Sequence, residues 1–318
     1  MISRDADSLY WMSRYLERAE HTARLLDVNL HLMLDQSPGS ATRRWERLFA
    51  SLGAKPTVET QDAQEVTQTL TFEMSNPASI VSSVATAREN ARQTREQISS
   101  EMWEQINRLH LHVRQTKLSD IWSGQPSEFF RAVKQGAHLF QGITDSTMGH
   151  GEGWHFIQLG RSIERAGATA RLLDVHFGKL LDGRASGSEI GDHLEWVGLL
   201  RSCTGFEAYC KEYTADLRPE RIAEFLLLNH EFPRSVRFAA DSIEGALRSI
   251  SLLTQRKADR LDRLAGRLRS TLSYGQIDEI LASGLHAYLD SIQNLCAQIH
   301  GAVYQIYITY PIESVLTA

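Results

Sequence analysis

One stretch of this chain occurs twice, and nothing else in it limits the fold so sharply. Residues 14–35 read RYLERAEHTARLLDVNLHLMLD and residues 161–182 read RSIERAGATARLLDVHFGKLLD. They align without a gap at an offset of 147, with 13 of 22 positions identical. A weaker echo follows. Trp45 answers Trp196, TLTFEMSN ending at Asn76 resembles RIAEFLLLN ending at Asn229, and 83–99 keeps five identities with 235–251. Self-similarity at a fixed spacing implies one structural unit copied end to end. The 318 residues then divide into a first helical repeat, 1–148, and a second, 149–318, packed together as one bundle. The join is Met148–Gly153, whose glycines suit a turn.

Both units read as helical. Apolar or small residues fall at 9, 12, 16, 19, 23, 26, 30 and 33. Alternating steps of three and four mark a long amphipathic helix with a bundle seam. The second copy repeats the pattern near 154–181. Asn76-Pro77 predicts the start of a helix running to about Arg114, and Pro233 predicts its counterpart running to about Ser273. Leu285–Tyr307 is a further apolar-periodic run. Matched loops are expected at 34–41 and 181–188, and an irregular region at 115–127. No βαβ alternation or hairpin signal is present. The fold class is therefore all-α: a long-helix bundle formed by tandem internal duplication with pseudo-twofold symmetry. Such symmetry brings equivalent helices face to face.

The repeated helix carries a charged ladder. Glu17, Glu20, Arg24, Asp27 and His31 run along one flank of its apolar stripe. Arg14 and His21 lie between, and Arg18 falls on the opposite side, where solvent is expected. The second copy keeps Arg161, Glu164, Arg165, Arg171 and Asp174, but has Gly167 for Glu20 and Ala168 for His21. This predicts a shared polar site between the two helices, with the first copy specialised. A charge ladder that only stabilises the bundle explains the same residues.

Composition narrows the function classes. Apolar residues at 42% and charged residues at 23% indicate a globular chain. A net charge of −5 without a basic block argues against nucleic-acid binding. No run approaches the ~18 apolar residues of a membrane span, and the first residues form no signal region. Cys203, Cys210 and Cys296 are odd in number and form no CxxC pair, so a cytoplasmic setting is expected. Cys203 and Cys210, seven apart, read as core thiols on one helical face. GxxxxGK[ST] and GxSxG motifs are missing, and the GHGEG of 149–153 follows no strand. A carboxylate-bridged di-iron centre needs paired Glu-x-x-His steps, which the repeated helices lack. No metal and no cofactor are expected. His150, Glu152 and His155 read as part of the turn at the join.

The opening Ser3-Arg4, Asp7–Trp11, Arg14–Glu20 and Thr22–Asn29 resemble the bacterial alpha-E (DUF403) family, and so do Gly153-Trp154, Phe156, Leu159–Arg161 and Glu164–Ala166. His150-Gly151-Glu152 departs from the Arg-Asp step that often precedes the Gly-Trp pair in that family. The resemblance implies an all-helical protein. It also implies a circularly permuted ATP-grasp protein as partner, and often a transglutaminase-like protein nearby. The expected function is a helical accessory protein of an ATP-grasp amide-bond-forming system, for peptide biosynthesis or peptide tagging, that docks the ligase or presents its substrate. The alternative is an enzyme of the same pathway using the Glu/Arg cluster. The candidate binding or network residues are Arg4, Tyr10, Arg14, Glu17, Glu20, Arg24, Asp27, Arg161, Glu164, Arg171 and Asp174.

Overall fold

Residues 3–33 contain neither glycine nor proline, and in the computed structural model they form one helix, α1 (Ser3–Met33). The structure describes residues 1–33, 41–55, 62–181, 189–214 and 216–309. Of the loops expected at 34–41 and 181–188, residues 34–40 and 182–188 lie outside those residues, and Ala41 and Leu181 belong to helices. The described chain is all-α, without a strand. After α1 come α2 (Ala41–Ser51), α3 (Ala63–Phe72), α4 (Ile80–Gln93), α5 (Ser100–Gln115), α6 (Leu118–Ser123) and α7 (Pro126–Thr147). A turn leads to α8 (Glu152–Leu181), then α9 (Glu189–Ser202), α10 (Phe206–Tyr213) and α11 (Pro219–Leu228). The chain continues with α12 (Val236–Thr254), α13 (Asp259–Ser273), α14 (Ile277–Ser283) and α15 (Leu285–Val303). No helix among the described residues is long and apolar enough to cross a membrane.

Helices α1 and α8 form the centre. Leu9, Met12, Leu16, Ala19, Ala23 and Leu26 of the α1 seam are buried, as are Phe156, Leu159, Ile163, Ala166, Ala170 and Leu173 of α8. Contacts advance together along both helices: Leu9 lies by Gly153, Ser13 by Gly160 and Arg18 by Glu164. The two therefore run side by side in the same direction. Helices α4 and α7 pack on α1, and α12 and α15 pack on α8. A pair of Arg47–Glu195 hydrogen bonds at 2.6 and 2.7 Å ties α2 to α9.

The two long helices expected from 76 and 233 are each broken. Asn76 accepts from the Ala78 N–H in a local turn, and Ser79 is the residue that caps α4, accepting from the Ser82 N–H. The first helix stops at Gln93 because Thr94 bonds back to the Asn90 carbonyl and Ser99 opens α5 by accepting from the Met102 N–H. In the second, Gln255 turns left-handed (φ 53°) and ends α12. The 115–127 region includes the short α6. Cys203 and Cys210 do not share a helix, because a turn at 203–205 separates α9 from α10.

Candidate functional site

The Arg14–Arg18 stretch of α1 faces α8, and the two helices exchange ion pairs. Arg165 donates from Nε to Glu17 Oε1 at 2.8 Å and from Nη2 to Oε2 at 2.9 Å. Arg18 donates from Nε to Glu164 Oε1 at 2.8 Å, and Arg14 from Nε to Oε2 at 2.8 Å. The cap region of α12 contributes a third element. Arg234 reaches Glu17 Oε1 at 3.0 Å and Glu20 Oε2 at 2.9 Å. Glu20 also pairs with Arg24 one turn on, and stands 3.2 Å from His138 Nε2 of α7. Threonines anchor both cap regions: Thr22 donates to the Ala78 carbonyl and Thr169 to the Arg234 carbonyl.

Beside this network lies a cavity of about 690 Å³. Small-molecule pockets occupy ~300–1,000 Å³. Its walls come from α1, α8, α15, the ends of α2 and α9 with the turns that follow them, and the turns before α4 and α12. Seven basic side chains line it: Arg14, Arg18, Arg24, Lys55, Arg165, Arg171 and Arg234. Among the described residues three acids line it, Glu17, Glu73 and Glu164, with Glu20 behind the wall against Arg24 and Arg234.

The electrostatics follow from burial and neighbours. Burial opposes ionisation of Glu17, but Arg165 and Arg234 outweigh it and hold the carboxyl well below the usual range. Glu164 is lowered in the same way, Arg14 and Arg18 overcoming its burial. Burial, then Arg234, pushes His21 down to about 4, and burial with Arg14 does the same to His300. Burial raises the Tyr10 phenol, which hydrogen-bonds His300 Nδ1 at 2.9 Å.

The neutral His21 predicts a pH effect. In the unfolded chain it takes up a proton near pH 6.5, and in the folded protein only near 4. Between those values the unfolded state binds more protons, so stability falls as pH drops through the window. The shift corresponds to about 3 kcal/mol. Arg234 and Arg171 reinforce it, and Glu17 and Glu164 oppose it. Urea unfolding of His21→Gln at pH 7 and near pH 4.5 is expected to show a clearly shallower loss than the parent; equal losses would reject this account.

Of the eleven candidate residues, Arg14, Glu17, Arg24, Glu164 and Arg171 line the cavity. Tyr10 and Glu20 stand behind it in the network. Arg161 turns to Gln158 on its own helix. Asp27 and Asp174 leave the site: Asp27 takes a 2.6 Å bond from Lys134, and Asp174 pairs with His286 at 2.6 Å. Arg4 is exposed and away from the cavity. Arg18, expected in solvent, lines the cavity, because the parallel α8 sets Glu164 beside it. The second copy of the ERA motif could have signalled Arg165. No periodicity pointed to Arg234, His138 or His300, which arrive from turns and helices distant in sequence. Among the described residues, no group of three or more His, Cys, Asp or Glu could hold a metal ion.

Comparisons place this geometry among known sequences. An uncharacterised protein of Mycobacterium bovis is 25% identical over 319 residues, covering 93% of this chain and 35% of its own length. Uncharacterised proteins of two Mycobacterium tuberculosis strains match at 25% and 24% with the same coverage. The chain thus spans about a third of the curated relatives it matches. No solved structure matches it. The family profile described as "a predicted alpha-helical domain with a conserved ER motif" matches residues 1–308. Glu17-Arg18 and Glu164-Arg165, whose side chains pair across the two central helices, are Glu-Arg steps of that kind, and the chain belongs to the Alpha-E family.

Proposed function

We propose that this chain is the helical partner of an ATP-grasp amide-bond-forming system, docking the ligase or presenting its substrate. The observation that carries the reading is the double clamping of the two acids that the central helices bring to the site. Glu17 is held by Arg165 and Arg234, and Glu164 by Arg14 and Arg18. A general acid or base needs a pKa near the working pH and a free position to exchange its proton. These carboxylates have neither. They organise a fixed wall of guanidinium groups, which suits holding an anionic substrate better than turning it over. The carboxylates and acyl phosphates of ATP-grasp chemistry are anions of that type. The relatives add support, since in them the matched unit is one third of a longer chain. A transglutaminase-like protein is the second candidate partner.

The reading includes a duplicated fold in which 1–148 and 149–318 are equivalent units about a pseudo-twofold axis. Three features support it. Helices α1–α7 correspond in order to α8, α9 and α11–α15, with α10 inserted. Arg18→Glu164 is answered by Arg165→Glu17, and residues 147 apart exchange roles as a twofold requires. The Thr22 and Thr169 anchors are a second such pair.

The test is co-purification of the tagged full chain with the ATP-grasp protein of the same organism, followed by phosphate release from the mixture. A stable complex with accelerated phosphate release is expected. Failure to associate at micromolar concentrations would overturn the partner reading. Phosphate release by the chain alone, lost in Glu17→Gln with the fold intact, would favour the enzyme.

A further inference from the structure

At the offset of 147, Gly167 stands where α1 has Glu20, and Ala168 where it has His21. The two truncations have separate consequences. The first is space. A Cβ at Gly167 would meet nothing within 4 Å, and Gly167 and Ala168 both form part of the cavity wall. The second is charge. On α1, Arg24 finds Glu20 one turn before it. On α8, Arg171 finds a glycine at the same step. Arg171 has no hydrogen bond or ion pair among the described residues; its guanidinium rests against the Gly53 turn and lines the cavity.

The opposite wall is also unfinished. His21 is 8% exposed and lines the cavity, yet its Nε2 has no partner. Arg24 is 1% exposed, and its Nε is likewise unpartnered. Buried polar groups without partners are costly and uncommon. Water could fill part of the space, but it would leave the surplus of basic over acidic side chains uncompensated. An anion satisfies both the open donors and the charge.

We propose that the cavity binds a small ligand through an oxyanion group, with Arg171 supplying the charge and the open Arg24 Nε and His21 Nε2 supplying hydrogen bonds. Carboxylate and phosphate share the paired oxygens that a guanidinium fork recognises. Glycine in place of glutamate in the second helix thus does two jobs: it leaves the room open and the cation unpaired. This site goes beyond the partner reading and does not depend on a ligase being present.

The experiment is isothermal titration calorimetry of the full chain at low salt and pH 7, with pyrophosphate as the phosphate arm and citrate as the carboxylate arm. At least one arm is expected to saturate at one ligand per chain with a Kd below about 1 mM. The arm that binds more tightly identifies the oxyanion. Gly167→Glu restores the acid one turn before Arg171 and occupies open space, so it should weaken binding by about tenfold or more. Arg171→Gln should do the same. Arg4→Gln, at an exposed residue that does not line the cavity, should bind like the parent. Circular dichroism melts confirm that each variant is folded. No saturable binding of either probe overturns the proposal. So does binding that Gly167→Glu and Arg171→Gln leave unchanged, which would mark an adventitious ion only. A chain that fails to associate with any ATP-grasp protein but passes this test loses the partner reading and keeps the site.

Discussion

Glu17→Ala is expected to cost about 3–5 kcal/mol of folding stability, the range for removing one member of a buried ion pair. Glu17 is 2% exposed and accepts three bonds of 2.8–3.0 Å from Arg165 and Arg234. Truncation leaves Arg165 without a carboxylate. Arg234 keeps Glu20, and Arg165 keeps only a 3.1 Å bond to the Pro233 carbonyl. One side chain therefore joins α1, α8 and the entry to α12, and its loss is felt at all three. Glu17→Gln keeps the shape and should lose less. Glu164→Ala should also lose less, because Arg18 is more exposed than Arg165 and can turn to water. Urea unfolding at pH 7 measures the series, and a loss under about 1 kcal/mol for Glu17→Ala would refute the ranking. The sign with pH follows. The folded pKa of Glu17 lies below its unfolded value of about 4.3, so its contribution is complete above that value. It is lost as pH falls through the folded pKa, and acid unfolding below about pH 4 should be less steep in Glu17→Ala than in the parent.

The same residues show what could be read from the chain before its structure. The α1 seam was legible because a buried stripe on a long helix repeats with the helical period. The pairing of the two ERA segments was legible because both carry the same acids and bases at the same spacing. A single helix wheel, however, places Arg18 outside, since it has no second helix to set beside it. Nor does it distinguish rungs of the ladder covered by α8 from those covered by other helices. Asp27 looks equivalent to Arg24 in sequence, yet α7 supplies Lys134 and draws it away. Arg234 was invisible because its position depends on a serine cap and a turn. The helix start expected at Asn76-Pro77 was misplaced because Asn76 closes a local turn and Ser79 is the cap; the repeat alignment does not correct it. Aligning 83–99 with 235–251 equates Ser83 with Ser235, whereas the capping serines are Ser79 and Ser235. That slip is four residues, about one helical turn, and a periodic pattern is nearly blind to it.

Gly160→Ala and Gly167→Ala, the same change seven residues apart on one helix, should move stability in opposite directions. In a free helix each would gain about 0.5–1 kcal/mol, because glycine gives up more backbone freedom than alanine on folding. Gly167 faces open space and should keep that gain. Gly160 lies against the backbone of α1, and a Cβ there runs into the Ser13 hydroxyl and the Tyr10 carbonyl oxygen. The hydroxyl can rotate away. The carbonyl belongs to the backbone of α1, so the helices themselves must separate. Overpacking typically costs about 1–3 kcal/mol, and a clash with backbone belongs at the upper end or beyond. Gly160→Val, with two γ-carbons, should exceed 3 kcal/mol or prevent folding. Adding Ser13→Ala to Gly160→Ala removes the movable obstacle alone, so only a partial rescue is expected; full rescue would mean that the carbonyl contact is not limiting. Separation at this crossing also strains the Arg18–Glu164 and Arg165–Glu17 pairs one turn further on. Gly160→Ala should therefore weaken anion binding as well as stability, whereas Gly167→Ala raises the melting temperature. Thermal melts and calorimetry on the two single variants separate these outcomes directly.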